Sequence, residues 1–445
     1  MHLERVLIVV GQRSQQDRIY PGCDLRLLEG PLRSSGIVDN IDILYYSDYT
    51  PHCDDALLSY CLEKKPQAVL LSLQNIGLLG PSFAAVRKEG EPTPDGLGQI
   101  THQLHIPTVA FWGDVLIDST IDVLERYCHS LTLNVIYGAD ASSHRPLMPE
   151  VTNYVYAADH FDERLFDMPE DLRDIPVGFH GNIHRNRPEW VVGLRKFGIP
   201  IYTAEGKLLG GGQEVLSREK DTPIWVPYEE YYRFTARLKM TLNFTPSINL
   251  KYQPAYSING EQVPIALHWA ISKLKMLYSG LKLICSSWRN PLQAVKHIIS
   301  VLRTSSPVLQ PKYQLGSRTW EALWLRTFLL EEDNPVISVY FEPYLDYVPF
   351  TTLKDLADKI RYYLEHEEER DRIRMHGRAT VEKYYNSRIY WQNLFETIGI
   401  QSDMPYHYRP GEIWNKEYLD KWYLSHPSIE SVWSRRQKIH TDCPW

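Results

Sequence analysis

Seven residues have types and positions that suit chemistry on a phosphorylated, hydroxyl-rich ligand. Gly181 closes the apolar run Pro176-Val-Gly-Phe-His-Gly181 just ahead of a helical pattern. Backbone N–H groups at such a turn face outward and suit a phosphate. Arg187 adds a guanidinium to the same turn, with a plain solvent-exposed arginine as the alternative. Gly11 follows the first apolar run and permits close approach by a substrate, unless it only makes a turn. Asp114 follows the apolar run Thr108 to Trp112, at the strand end where open α/β sheets place ligands. A carboxylate there suits a general base, and His180, beside Gly181, is the second candidate, although a lone histidine is more often structural. Arg318 and Glu321 are three residues apart and share a helix face. A guanidinium can grip a diphosphate through two N–H groups, and a carboxylate can accept two hydroxyls of a vicinal diol. A surface ion pair between the two is the competing reading.

The elements that must position these residues show a repeating rhythm. Apolar runs at Val6 to Val10, Ile41 to Tyr46, Ala68 to Leu73 and Thr108 to Trp112 are separated by helix-length segments such as Asp54 to Lys65. That alternation predicts βα units and a parallel sheet. Leu133 to Tyr137 and Asn153 to Tyr156 add two more strands. The first domain is expected over 1–170. A second, over 176–400, restarts with the run at Pro176, a helix at Glu189 to Phe197, a strand at Ile199 to Tyr202, a helix at Tyr228 to Arg237 and a strand at Met240 to Phe244. Between about 245 and 313 the rhythm breaks, and Leu267, Ile271, Leu274 and Tyr278 line one face of an amphipathic helix. The segment reads as a helical insertion that packs on the second domain, covers a cleft, dimerises or touches a membrane surface. A helix at Ser317 to Leu325, a strand at Phe328 to Leu330 and a helix capped by Thr352 and Asp355 follow. Gly377 is expected as a helix C-cap after the charged, solvated run Glu365 to Arg374. The aromatic-rich tail 401–445 is expected to pack on the body.

Composition bounds the function. With 445 residues, two domains are the default. A hydrophobic content of 43% against 23% charged residues predicts folding throughout. The net charge of -7 argues against a broad basic surface for phosphate-backbone binding. Cys23, Cys53, Cys61, Cys128, Cys285 and Cys443 show no CxxC spacing, so neither a zinc site nor a disulfide framework is suggested and a cytoplasmic setting is expected. The apolar stretch from Val263 to Cys285 is broken by His268, Lys273, Lys275 and Lys282, and no transmembrane segment is expected.

The segments Tyr313-Gln-Leu-Gly-Ser-Arg-Thr-Trp-Glu321-Ala, Phe328-Leu-Leu-Glu331-Glu-Asp-Asn334 and Tyr340-Phe-Glu-Pro343-Tyr-Leu-Asp-Tyr347-Val-Pro-Phe350 resemble the C-terminal domain of GT-B glycosyltransferases related to spore-maturation proteins. Asp355-Leu, Arg361-Tyr-Tyr-Leu, Gly377 and Tyr390-Trp391 extend the likeness across 311–397, and Phe179-His-Gly-Asn-Ile-His-Arg-Asn-Arg187 is a weaker echo. The resemblance implies an α/β GT-B fold, with two Rossmann-like domains facing across a cleft, the domain over 1–170 on the acceptor side. It also implies transfer of a hexosyl or related sugar from a nucleoside-diphosphate sugar, which is a co-substrate, so no cofactor is expected. Glu321 matches the glutamate that contacts the donor ribose, and Arg318 is placed for the diphosphate. Tyr313 stands where relatives carry an acid, and Leu325-Arg326 where they often carry glycine, so donor identity and stereochemistry stay open. An inverting reaction would use Asp114 or His180 as base, whereas a retaining one would need neither. No Asp-x-Asp metal motif presents itself in a loop, so metal independence is expected. The acceptor, whether glycan, protein, lipid intermediate, nucleic acid or small molecule, is not legible, and a homo-oligomer stays open. Competing readings are a sugar-nucleotide epimerase or hydrolase and a noncatalytic sugar-nucleotide-binding protein.

Overall fold

Strands that are covered on both faces read as unbroken apolar runs, because neither side of the pleat meets water. That condition holds for the inner strands Ala68–Ser72 and Thr108–Trp112 of one sheet and Leu238–Asn243 and Phe328–Glu332 of the next. The computed structural model describes residues 2–11, 28–72, 90–112, 124, 126–137, 153–157, 160–168, 173–179, 187–202, 208–209, 228–244, 255–258, 261–264, 315–333, 337–400 and 413–414. In the first half, β1 (Leu3–Val10), helix α1 (Glu29–Ser35), β2 (Val38–Tyr45), helix α2 (Asp54–Lys64), β3 (Ala68–Ser72), β4 (Thr108–Trp112), β5 (Leu133–Tyr137) and β6 (Tyr154–Ala157) follow in order. The second half adds β7 (Ile175–Gly178), α3 (Arg187–Lys196), β8 (Ile201–Tyr202), β9 (Leu208–Leu209), α4 (Tyr228–Arg237), β10 (Leu238–Asn243), β11 (Ala255–Ile258) and β12 (Glu261–Pro264). It continues with α5 (Ser317–Trp324), β13 (Phe328–Glu332), β14 (Val348–Phe350), α6 (Leu353–Glu365), α7 (Glu367–Tyr384), α8 (Ser387–Thr397) and β15 (Ile413–Trp414).

The first sheet has the order β15-β6-β5-β4-β3-β1-β2, parallel except for β15, which the tail contributes antiparallel to β6. The second has the order β14-β13-β10-β7-β8-β9, parallel except for β9. This is the two-domain, Rossmann-like α/β architecture that the resemblance implies. In each sheet the winding reverses once. β2 is laid on one side of β1 and β3 on the other; likewise β8 and β10 flank β7. Such reversals open a crevice at the carboxyl ends of the two strands that part.

Alternation within the strands sorts side chains between two cores. Leu7, Val9, Val69, Leu71, Ala110 and Trp112 meet Leu57 and Cys61 of α2, while Val6, Ile8, Leu70, Val109 and Phe111 face Leu32 of α1 on the other side. That second face is completed by Tyr390, Trp391, Leu394 and Phe395 of α8, so the helix that ends the second half returns to cover the first sheet. The return is pinned by Glu163, which accepts from the Ser387 backbone N–H at the start of α8, from Ser387 Oγ at 2.8 Å and from Ser34 Oγ of α1 at 2.6 Å.

Three expectations are corrected. Gly377 is not a helix end but lies buried inside α7, where an added Cβ would stand 2.6 Å from the Asp346 carbonyl oxygen. Its lack of a side chain serves close approach of helix to backbone. The charged run is not wholly solvated, since Arg370 is 1% exposed and donates to the Tyr363 carbonyl at 3.0 Å. Within the expected helical insertion the described residues form an antiparallel hairpin of β11 and β12, and the face at 267–278 lies outside the described residues. Leu325-Arg326, the departure from relatives with glycine, has a clear geometry. Arg326 itself adopts the left-handed φ of 56°, with Arg326 N–H bonded to the Leu323 carbonyl at 3.0 Å and Thr327 N–H to that of Ala322 at 2.9 Å. That is the paired closure of a helix that glycine ordinarily makes.

Gly377→Ala is expected to destabilise the chain by about 1–3 kcal/mol, because its methyl must push α7 off the Asp346 backbone. A lowered midpoint of thermal unfolding checks it; an unchanged midpoint would mean that α7 shifts freely.

Candidate functional site

The carboxyl ends of β7 and β10 form the crevice of the second sheet. Phe179 immediately follows β7 and Phe244 immediately follows β10; both are fully buried, with ring centroids 5.3 Å apart. Helix α5 approaches this edge with its first turn. Its N-cap, Gly316, is extended and supplies no side-chain cap, so an N-cap side chain is not what holds the start of this helix in place.

That start is instead fixed from the sheet side. Asn243, the last residue of β10, pairs in register with Glu331 of β13. Asn243 Nδ2 donates to Thr319 Oγ1 at 2.9 Å and to the two Glu331 carboxylate oxygens at 3.0 and 2.8 Å. Thr319 Oγ1 in turn donates to Glu331 Oε2 at 3.0 Å. Asn243, Thr319 and Glu331 are 4%, 0% and 1% exposed.

Arg318 is next to Thr319, one helical step round, and its guanidinium carbon stands 5.9 Å from the centre of the Phe179 ring. The ring steers the cation to the edge of the crevice by its quadrupole. Glu321 lies three residues further along α5 and is 3% exposed. It accepts from Tyr231 Oη at 2.8 Å and Tyr232 Oη at 3.5 Å, both on α4. Burial raises the Tyr231 phenol well above its usual range, the Glu321 charge raises it further, and the Arg318 charge opposes the rise. Arg318 therefore acts electrostatically on the pair that Tyr231 makes with Glu321.

The sequence-predicted residues fall into three groups. Arg318 and Glu321 are brought together on α5, at the crevice and against α4 respectively. Gly11 is buried directly after β1, at the winding reversal of the first sheet, where Ser72 ends β3. Arg187 opens α3, and its side chain, with Asp114, His180 and Gly181, lies outside the described residues. Sequence reasoning missed Asn243, Thr319, Tyr231, Tyr232 and the ring of Phe179. Polar residues inside otherwise apolar strands, as Asn243 and Glu331 are, were the available signal. Among the described residues no group of three His, Cys, Asp or Glu side chains could hold a metal ion, and no helix is long and apolar enough to cross a membrane. Cys53, Cys61 and Cys128 are buried thiols outside any disulfide, and burial pushes the Cys61 thiol up to about 12.

Residues 269–396 match the glycosyl transferase-like family. No curated protein sequence matches the chain. Among solved structures the chain is similar to HepE of Anabaena in complex with UDP and glucose, at 9% identity over 90% of this chain and 100% of that one, with a TM-score of 0.47. It is also similar to a glycosyltransferase from Rickettsia africae, at 8% identity over 91% and 100%, with a TM-score of 0.48. Sucrose-phosphate synthase from Thermosynechococcus elongatus is 10% identical over 89% and 99%, with a TM-score of 0.46.

Tyr231 carries a pH prediction. Its folded pKa is raised above the usual 10.0, so the stability it contributes is fully present below pH 10 and is lost as pH climbs from there toward the folded value. Denaturant midpoints measured from pH 8 to pH 11 should fall above about pH 10, and Tyr231→Phe should flatten that fall. At pH 8 the same substitution should cost about 1–3 kcal/mol, since it strips a donor from a buried carboxylate. A pH profile identical in the variant would contradict the pairing.

Proposed function

We propose that the chain is a glycosyltransferase that moves a sugar from a nucleoside-diphosphate sugar to an acceptor, with the donor seated at the carboxyl edge of the second sheet. The observation that carries this reading is the crevice where β7 and β10 part, because the first turn of α5 and the Arg318 guanidinium converge there. Breaking the sugar–phosphate bond leaves growing negative charge on the diphosphate, and preorganised N–H donors and a cation are the groups that stabilise it. The glycosyl transferase-like match spans α5, β13, β14, α6, α7 and nearly all of α8, and so covers the same edge.

In this reading Arg318 balances the diphosphate, and Glu321, held by Tyr231 and Tyr232, stands for the ribose hydroxyls. The donor is hexosyl, amides and cations replace a metal ion, and the protein is cytoplasmic. Kinship to the spore-maturation-protein-like glycosyltransferases is supported by the quoted segments at 313–322, 328–334 and 340–350. The acceptor belongs to the carboxyl edge of the first sheet, where Gly11 and Asp114 follow their strands; Asp114 and His180 remain the two candidates for a base.

A thermal-shift panel of UDP-glucose, UDP, GDP and ADP at saturating concentration tests the reading. At a hundredfold excess over Kd, a ligand that binds only the folded chain should add about 2–3 kcal/mol of apparent stability. Arg318→Ala should weaken the best of them about tenfold in titration calorimetry, the loss of one charge-assisted contact. No shift with any member of the panel would sink the donor site, and unchanged affinity in a folded Arg318→Ala would remove Arg318 from it.

A further inference from the structure

Asn243, Thr319 and Glu331 have no place in the reaction as described, yet they form a deeply buried polar cluster beside the crevice. An isolated carboxylate in an apolar surround is costly, and a buried polar network is tolerable only when its donors and acceptors are matched. Here they are matched tightly. The two Asn243 Nδ2 hydrogens divide between Thr319 Oγ1 and the carboxylate, and the Thr319 hydroxyl spends its own hydrogen on Glu331. The triangle joins the last residue of β10, the carboxyl half of β13 and the first turn of α5.

Apolar residues of the same size would hold these three elements together at least as firmly, so stability alone does not call for a carboxylate. A triangle of directional bonds does what apolar packing cannot, which is to fix both the depth and the rotation of a helix end. Rotation of α5 about its axis is what decides where Arg318 points, because Arg318 precedes the sheet-facing Thr319 by one step of about 100°. The carboxylate also faces the positive end of the α5 dipole, which offsets its charge.

We propose that Asn243, Thr319 and Glu331 are positioning residues for the phosphorylated part of the ligand. By locking the first turn of α5 against β10 and β13, they aim Arg318 and the first-turn N–H groups into the crevice between β7 and β10. The assignment of that ligand rests on the donor reading above; the locking of α5 does not.

Thr319 allows a test that separates the two, since Thr319→Val keeps the shape and removes the hydroxyl, while Thr319→Ser keeps the hydroxyl. Titration calorimetry with UDP, at a temperature where every variant is folded, should show Thr319→Val binding about tenfold more weakly and Thr319→Ser within about twofold of the unmutated chain, while the thermal midpoint without ligand falls in Thr319→Val, which strips a donor from the buried Glu331 carboxylate. Amide hydrogen exchange over 315–324, measured on the same proteins without UDP, should quicken in Thr319→Val and not in Thr319→Ser. Full affinity for UDP in a folded Thr319→Val overturns the positioning of the ligand. Equal exchange in both variants overturns the locking of α5. If the unmutated chain binds no UDP, GDP or ADP, the donor reading and the ligand half of the proposal fall together, and exchange alone decides whether the triangle locks the helix.

Discussion

Parallel pairing of β7, β10 and β13 is the constraint on which the second half depends. It sends three carboxyl ends to one edge, in register from Met240 and Phe328 up to Asn243 and Glu331. Because β8 and β10 lie on opposite sides of β7, the winding reverses there and a crevice opens at that edge. The helix that returns from this edge, α5, must begin where the strands end. Its first turn therefore meets the crevice by topology, before any particular side chain is considered.

Side chains then decide what the crevice can hold. Two aromatic rings line the strand ends, a guanidinium lies near one of them, and a polar triangle holds the helix from beneath. Glu321 shows how one helix serves two tasks. Its carboxylate is tied to the tyrosines of α4, so α5 is fixed on that flank as well as on the sheet side. The two halves of the chain are in turn tied by α8, whose Trp391 is wholly buried against the first sheet, and by the three donors gathered on Glu163.

Much of this frame was legible in the sequence. The strands at Thr108–Trp112 and Leu133–Tyr137 fall where the mainly apolar runs put them, because a strand covered by helices on both faces is apolar along most of its length. The cap at Thr352 was equally plain, as Thr352 accepts from the Asp355 N–H at 3.1 Å. Gly377 was misread because glycine signals both helix ends and close approach, and only the neighbouring Asp346 backbone distinguishes them. Arg370 was misplaced for a related reason: a charge run shows no sign of which member will turn inward to a carbonyl. The polar triangle was invisible since its members are separated by 76 and 12 residues and meet only through the sheet. Of the candidate site, Arg318 and Glu321 were found through spacing and resemblance, whereas their partners Phe179, Tyr231 and Tyr232 come from distant elements that the pattern along the chain does not connect.

The most direct measurement is an experimental structure of the chain with UDP bound. The predicted result is a diphosphate at the carboxyl ends of β7 and β10, within hydrogen-bond distance of the Arg318 guanidinium and the first-turn N–H groups of α5. A diphosphate bound at the edge of the first sheet, or anywhere that Arg318 does not reach, would contradict it.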